Sequence, residues 1–234
     1  MDFANKTVLI TGAAGNLGAA VAQTLSARGA NLVLLDLRRE GLEHRYGQDT
    51  DSRLLLPANL LEPAQVQAAV GAAQERFGRI DVLCNLAGGF RMGSPVHATQ
   101  DGDWDFLMDI NVRTLLHMVR AVVPRMLASG GGSIVNVAAQ SALRGAGQMG
   151  AYCASKSAVI RLTESMAAEL REQNIRVNCV LPSIIDTPEN RTAMPDADPG
   201  RWVTPQDLAQ AIAFLASDAA RAVHGAALPV SGLS

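Results

Sequence analysis

At 234 residues, 48% of them apolar, the chain is long enough for one domain with a large core. A formal charge of −2 and a pI near 6.1 give no basic surface for nucleic acid or an anionic membrane. Cys84, Cys153 and Cys179 are odd in number and far apart, which suits reduced, cytoplasmic surroundings better than a disulfide framework. The four scattered histidines offer no metal-ligand spacing. No run of 18 apolar residues appears, so no membrane span is expected, and a strand-like run starting at Val8 leaves no room for a signal peptide.

In chain order, apolar runs fall at 7–11, 31–36, 53–56, 80–84, 133–138, 175–181 and 226–230. Helical spacing occupies the stretches 17–29, 62–77, 103–128, 150–172 and 205–217, and 38–47 is a poor helix carrying two glycines. Short buried strands alternating with helices predict a parallel sheet covered on both faces. Glycines at 29, 78 and 130–132 follow helical segments as C-caps would. The segment 182–203 holds Pro182, Pro188, Pro195 and Pro199, with Pro205 just beyond. It predicts a loop or broken helix lying over something.

Three groups of residues suggest chemistry. Thr11-Gly12-Ala13-Ala14-Gly15-Asn16-Leu17-Gly18 follows the first strand and opens the first helix, where backbone N–H groups and a helix N-terminus favour a pyrophosphate. Asp36 ends the second strand, placed to bind ribose hydroxyls and repel a 2′-phosphate. That favours NAD(H), while Arg38 and Arg39 leave NADP(H) open. Tyr152 and Lys156 share a helix face, and an ammonium beside a phenol lowers the phenol's pKa, tuning it for proton transfer.

With these residues in hand, the whole chain resembles the short-chain dehydrogenase/reductase family. Asn59, the turn Asn85-Leu86-Ala87-Gly88, Asn111, the run Ile175-Arg176-Val177-Asn178 and the stretch Pro182-Ser183-Ile184-Ile185-Asp186-Thr187 match that family in order. The resemblance implies a single doubly wound Rossmann domain spanning 1–234. Its seven-stranded parallel sheet would run 3-2-1-4-5-6-7, with 182–203 as a substrate lid. It makes Tyr152 the general acid/base. Lys156 would hold the nicotinamide ribose, and Asn111 would hold a water in the proton relay. The implied cofactor footprint is Gly12, Gly15, Asn16, Leu17, Gly18, Asp36, Leu37, Asn59, Leu60, Asn85, Ala87, Gly88, Pro182, Ile185 and Thr187, with no metal. It also implies a small-molecule substrate and a homodimer or homotetramer built on the segments 103–128 and 150–172.

The chain departs from the family in two places. The catalytic serine normally lies thirteen residues before the tyrosine, and here that position is Ala139. Losing such a donor costs roughly 3–4 kcal/mol of transition-state stabilisation. Ser141, two residues on, would face the same way if the strand continued. Asn16 stands where a glycine is usual, and asparagine tolerates positive φ. The dihydropteridine reductase branch shares the alanine and the G-x-x-G-x-x-G turn. It is also similar at Ala87-Gly88-Gly89-Phe90 and along Asp186-Thr187-Pro188, Asn190-Arg191, Met194-Pro195, Ala197-Asp198 and Trp202. Phe90, Met149, Met194 and Trp202 are the expected substrate wall. Three functions follow: an NADH-dependent reductase of a quinonoid or pterin-like ring, an ordinary ketone/alcohol dehydrogenase using Ser141, or a dinucleotide-binding sensor.

Overall fold

The computed structural model describes residues 2–234. Seven strands form the sheet: β1 (Thr7–Thr11), β2 (Asn31–Asp36), β3 (Arg53–Pro57), β4 (Val82–Asn85), β5 (Gly132–Val137), β6 (Ile175–Pro182) and β7 (Ala227–Val230). All pair in parallel in the order β3-β2-β1-β4-β5-β6-β7. The helices are α1 (Asn16–Ser26), α2 (Arg39–Tyr46), α3 (Pro63–Phe77), α4 (Asp101–Met108), α5 (Thr114–Ala128), α6 (Gly150–Leu170), α7 (Pro188–Ala193) and α8 (Pro205–Ala216).

Successive strand residues serve opposite faces. Leu9 and Val33 join Val70, Met118 and Val159 under α3, α5 and α6. Val8, Ile10 and Leu34 join Val21, Leu25, Leu208 and Ile212 under α1 and α8. With both faces covered, the strands are predominantly apolar, as the sequence expectation requires. The sheet order also matches that expectation, and the reversal between β1 and β4 opens a crevice at the strands' carboxyl ends.

One segment differs from the sequence expectation. The stretch 103–128 is not one regular helix: a wide turn, Asp109–Arg113, separates α4 from α5. Such a turn adds a residue to the helical path and re-aims the side chains on it. It carries Asn111 into the interior, where Asn111 is 2% exposed. The weak helix at 38–47 does form, as α2. It buries only Leu42 and stops at Gly47, whose φ is +75°.

At the amino ends of the strands, Arg176 on β6 reaches the end of α8. Its guanidinium donates to Leu215 O (2.8 Å), Ala220 O (3.1 Å) and Ser217 O (3.0 Å). These carbonyls lie at or just past the helix C-terminus, where a cation is favoured. Burial lowers the Arg176 pKa, with Asp218 opposing. Arg176→Met should therefore strand the carbonyls and destabilise the fold by about 2–3 kcal/mol, measurable by urea unfolding. A loss below about 0.5 kcal/mol would show that water replaces the guanidinium freely.

Candidate active site

The glycine turn is built from close backbone approach. Gly12 has φ +64°, and a β-carbon there would lie 3.0 Å from the Ala87 backbone. One at Gly18 would lie 2.3 Å from Gly12 O and 2.7 Å from Ala13 Cα. Only glycine allows both contacts. Thr11 Oγ1 accepts from Leu86 N and Ala87 N, each at 3.0 Å, fixing the loop after β4 to the end of β1. The Asp36 carboxylate accepts from Ala14 N (2.9 Å) and Leu37 N (2.8 Å), and Tyr46 donates to Ala13 O at 2.6 Å. Gly15 precedes α1, no side chain caps the helix, and its first turn holds no acidic residue. Its N–H groups thus face the crevice ready for an anion. Asn16 does not take the left-handed conformation: it is the first helical residue, and Gly12 supplies the positive φ.

Beyond the turn, the Asn111 carboxamide clamps the β4–α4 loop. Its Oδ1 accepts from Gly89 N and its Nδ2 donates to Gly89 O, both at 3.0 Å; Nδ2 also meets Ser155 Oγ at 3.1 Å. A β-carbon on Gly88 would fall 2.9 Å from Asn111 Oδ1 and 3.1 Å from Lys156 Nζ, so a glycine is what leaves room for the lysine. Lys156 Nζ donates to Val137 O at 3.0 Å. Tyr152, one turn earlier on α6, meets the Phe90 ring edge-on at 4.9 Å. Deeper in, Asn85 donates to Asn136 Oδ1 and Asn136 to Thr163 Oγ1, each at 2.9 Å. This polar seam ties β4, β5 and α6 together, and Asn85 Oδ1 is left without a partner.

The electrostatics correct one expectation. The Tyr152 pKa is not lowered: burial, and secondarily Cys153, pushes it up to about 12. Burial brings Lys156 down to about 8. The lysine is held by Val137 O, and desolvation outweighs its pull on the phenol. Ser141 is also placed differently than expected. β5 ends at Val137, Ala139 is extended and buried, and Gln140–Ala142 form a 3-10 turn, so strand alternation does not govern where Ser141 points. Ser157 Oγ pins that turn through Ala142 O at 2.7 Å, while Ser141 Oγ takes part in no hydrogen bond among the described residues.

The remaining expected residues ring the crevice. Asn59 Oδ1 accepts from Leu61 N at 3.0 Å, and buried His117 meets Leu60 O at 2.8 Å, fixing the loop after β3. Arg39 is drawn away to Glu43 (2.7 Å) and Leu55 O (3.3 Å). Pro182 ends β6, and Ile185 bridges to Val203. Thr187 caps α7, accepting from Asn190 N at 3.2 Å. Trp202, of the expected wall, is largely buried at 6% exposure. The base of 182–203 is pinned by residues 231–234. Leu233 and Arg201 exchange two hydrogen bonds (2.9 and 2.7 Å), and Ser183 Oγ bonds Ser231 O at 2.8 Å. Among the described residues, no three His, Cys, Asp or Glu side chains come together as a metal site. Thr11 opens the glycine motif, but its hold on Leu86, 75 residues away, had no signal, and His117 had no motif to mark it, since its partner lies 57 residues away.

Comparison with known proteins accords with this geometry. A family model described as enoyl-(acyl carrier protein) reductase matches residues 12–232. The chain is similar to D-threitol dehydrogenase of Mycolicibacterium smegmatis, 37% identical over 97% of this chain and 92% of that protein. Its structure is similar to a short-chain dehydrogenase/reductase of Brucella melitensis described as glucose/ribitol dehydrogenase, with TM-score 0.90 and 33% identity over 99% and 98% of the two chains. It is also similar to a 3-ketoacyl-(acyl-carrier-protein) reductase from Brucella melitensis complexed with NADH, with TM-score 0.87 and 33% identity over 98% of each.

The chain has two tyrosines, and burial likewise pushes Tyr46 up to about 12. In a Tyr46→Phe background, ultraviolet titration should show one phenol ionising near pH 12. Adding Phe90→Ala uncovers Tyr152 and should move that midpoint down toward the ordinary value of about 10. An unmoved midpoint would show that Phe90 contributes nothing to the burial.

Proposed function

The chain belongs to the short-chain dehydrogenase/reductase family, and from that membership we propose that it is an NAD(H)-dependent reductase of a small, planar, conjugated carbonyl or quinonoid ring, pterin-like rings included. The observation that carries this reading is the pairing of Ala139 with Phe90. The position two residues beyond β5 offers a methyl group and no donor, while an aromatic ring lies against Tyr152. A conjugated ring spreads developing negative charge over several atoms and needs less from a second hydrogen-bond donor.

The residues fit a dinucleotide. The bare glycine turn, from Gly12 through Gly15, Asn16 and Leu17 to Gly18, takes the pyrophosphate. Asp36 and Leu37 take the adenosine ribose, and Asn59 and Leu60 flank the adenine. Asn85, Ala87 and Gly88 line the floor. Lys156 holds the nicotinamide ribose, with Tyr152 beside it and Pro182, Ile185 and Thr187 at the carboxamide. When bound, the nicotinamide supplies the hydride. A phenol with a pKa near 12 is protonated at neutral pH, so Tyr152 donates the proton to the substrate atom. A lysine with a pKa near 8 is mostly cationic there and faces the same anion. Asn111 fixes the loop bearing Phe90, and 182–203 closes over the substrate as a lid, with Met149 and Met194 as further wall residues. Asp36, together with the engagement of Arg39 elsewhere, supports NADH over NADPH. The three free, buried cysteines accord with cytoplasmic surroundings. Phe106 on α4 and Leu127 on α5, both exposed, accord with a homodimer or homotetramer.

A second reading, an ordinary ketone/alcohol dehydrogenase, is favoured by the uncommitted Ser141 hydroxyl. Turnover of NADH with quinonoid dihydropterin, quinones and simple ketones tests the two. Tyr152→Phe should cut kcat at least about a hundredfold with NADH affinity nearly unchanged. Ser141→Ala should change turnover little on the first reading. A hundredfold loss, about 3 kcal/mol, would establish the second. Asp36→Ala should weaken NADH and relieve discrimination against NADPH in binding titrations. A wild-type protein that prefers NADPH would instead make Arg38 the deciding residue.

A further inference from the structure

The lid touches the glycine turn at one polar contact. Asn16 Nδ2, on the first residue of α1, donates to Glu189 Oε2 at 2.9 Å. Glu189 is on α7, in the 182–203 segment, and its carboxylate is not placed there by chance packing. Its own backbone N–H, then Thr187, Asn16 and Arg45 hold its pKa below the ordinary carboxylate range, so it is ionised at neutral pH. Thr187 is itself fixed as the α7 cap, and Asn190 Nδ2 donates to Ile185 O at 2.8 Å. The segment therefore presents a full negative charge to a turn whose bare backbone suits an anion. No acidic residue of α1's own first turn competes for that place.

We propose that Glu189 is a gating charge: in this position of the lid its carboxylate stands against the dinucleotide's pyrophosphate, and uptake of the cofactor requires it to leave Asn16. The inference rests on the glycine turn being the pyrophosphate site. Two negative groups at one helix end repel, and the repulsion weakens with ionic strength. Asn16 is then a positioning residue that holds the charge in place. The lid swings away from α1 as the cofactor enters, so cofactor occupancy and lid position are linked.

The alternative is a clasp, in which the hydrogen bond fastens the lid over a bound cofactor. NADH fluorescence titrations of wild type, Glu189→Gln and Asn16→Ala separate the two. Glutamine keeps an acceptor for Asn16 Nδ2 and removes the charge. The gate requires Glu189→Gln to bind NADH on the order of two- to fivefold more tightly at low salt, the size expected of an exposed charge. The gain should fade at about 0.5 M KCl as screening shortens. Asn16→Ala should tighten NADH as well. Adenosine, which lacks the pyrophosphate, should bind all three proteins equally. Unchanged or weaker NADH binding by Glu189→Gln, weaker binding by Asn16→Ala, or an equal shift for adenosine overturns the gate. The wild-type titration is read first: a chain that takes up no NADH defeats the reading of the glycine turn beneath this one, and this one with it.

Discussion

The carboxyl end of the sheet depends on two β-carbons that are absent. At Gly18 a methyl group would strike the Gly12 carbonyl, and at Gly12 it would press on the Ala87 backbone. Because neither is present, α1 starts directly behind β1, and the loop after β4 lies against the turn. Thr11 can then hold Leu86 and Ala87. That loop continues into Gly88, Gly89 and Phe90, which reach Lys156, Asn111 and Tyr152 in turn. The anion-favouring helix end and Tyr152 are thus positioned by one continuous backbone path.

The path ends in a dry place. Lys156 is 5% exposed and Tyr152 is partly covered by Phe90, so burial moves both pKa values in the direction that disfavours charge. A lysine near 8 and a tyrosine near 12 leave the pair poised as cation and neutral acid at pH 7, an arrangement suited to giving a proton rather than taking one. The Asn85–Asn136–Thr163 seam extends this polarity into the sheet, where unpaired polar atoms carry a penalty and satisfied ones fix a unique packing.

Much of this was legible in the sequence because the signals are local. The strand–turn–helix at 7–26, the carboxylate at Asp36 and the i,i+4 pair at Tyr152 and Lys156 each sit within one element or at its end. The alternation of apolar runs fixed the layer order. Non-local features were not legible. The direction of the tyrosine's pKa depends on how deeply the phenol is buried among elements far apart in sequence. The wide turn at Asn111 has no periodicity signature, because one added residue is lost within an apolar stretch. The expectation for Ser141 depended on β5 running on, whereas β5 ends at Val137, paired with Val180, although β6 itself continues to Pro182.

The pinning of the 182–203 segment by residues 231–234 has a practical side. Arg201 and Ser183 are gripped by Leu233 and Ser231, whereas Asp2 and Phe3 lie at the opposite pole, beside Asn174 and Ser217. A linker or label joined to Ser234 would pull on the base of the 182–203 segment. One joined at Asp2 would load only the amino ends of the strands. The point of attachment therefore decides whether that segment is restrained.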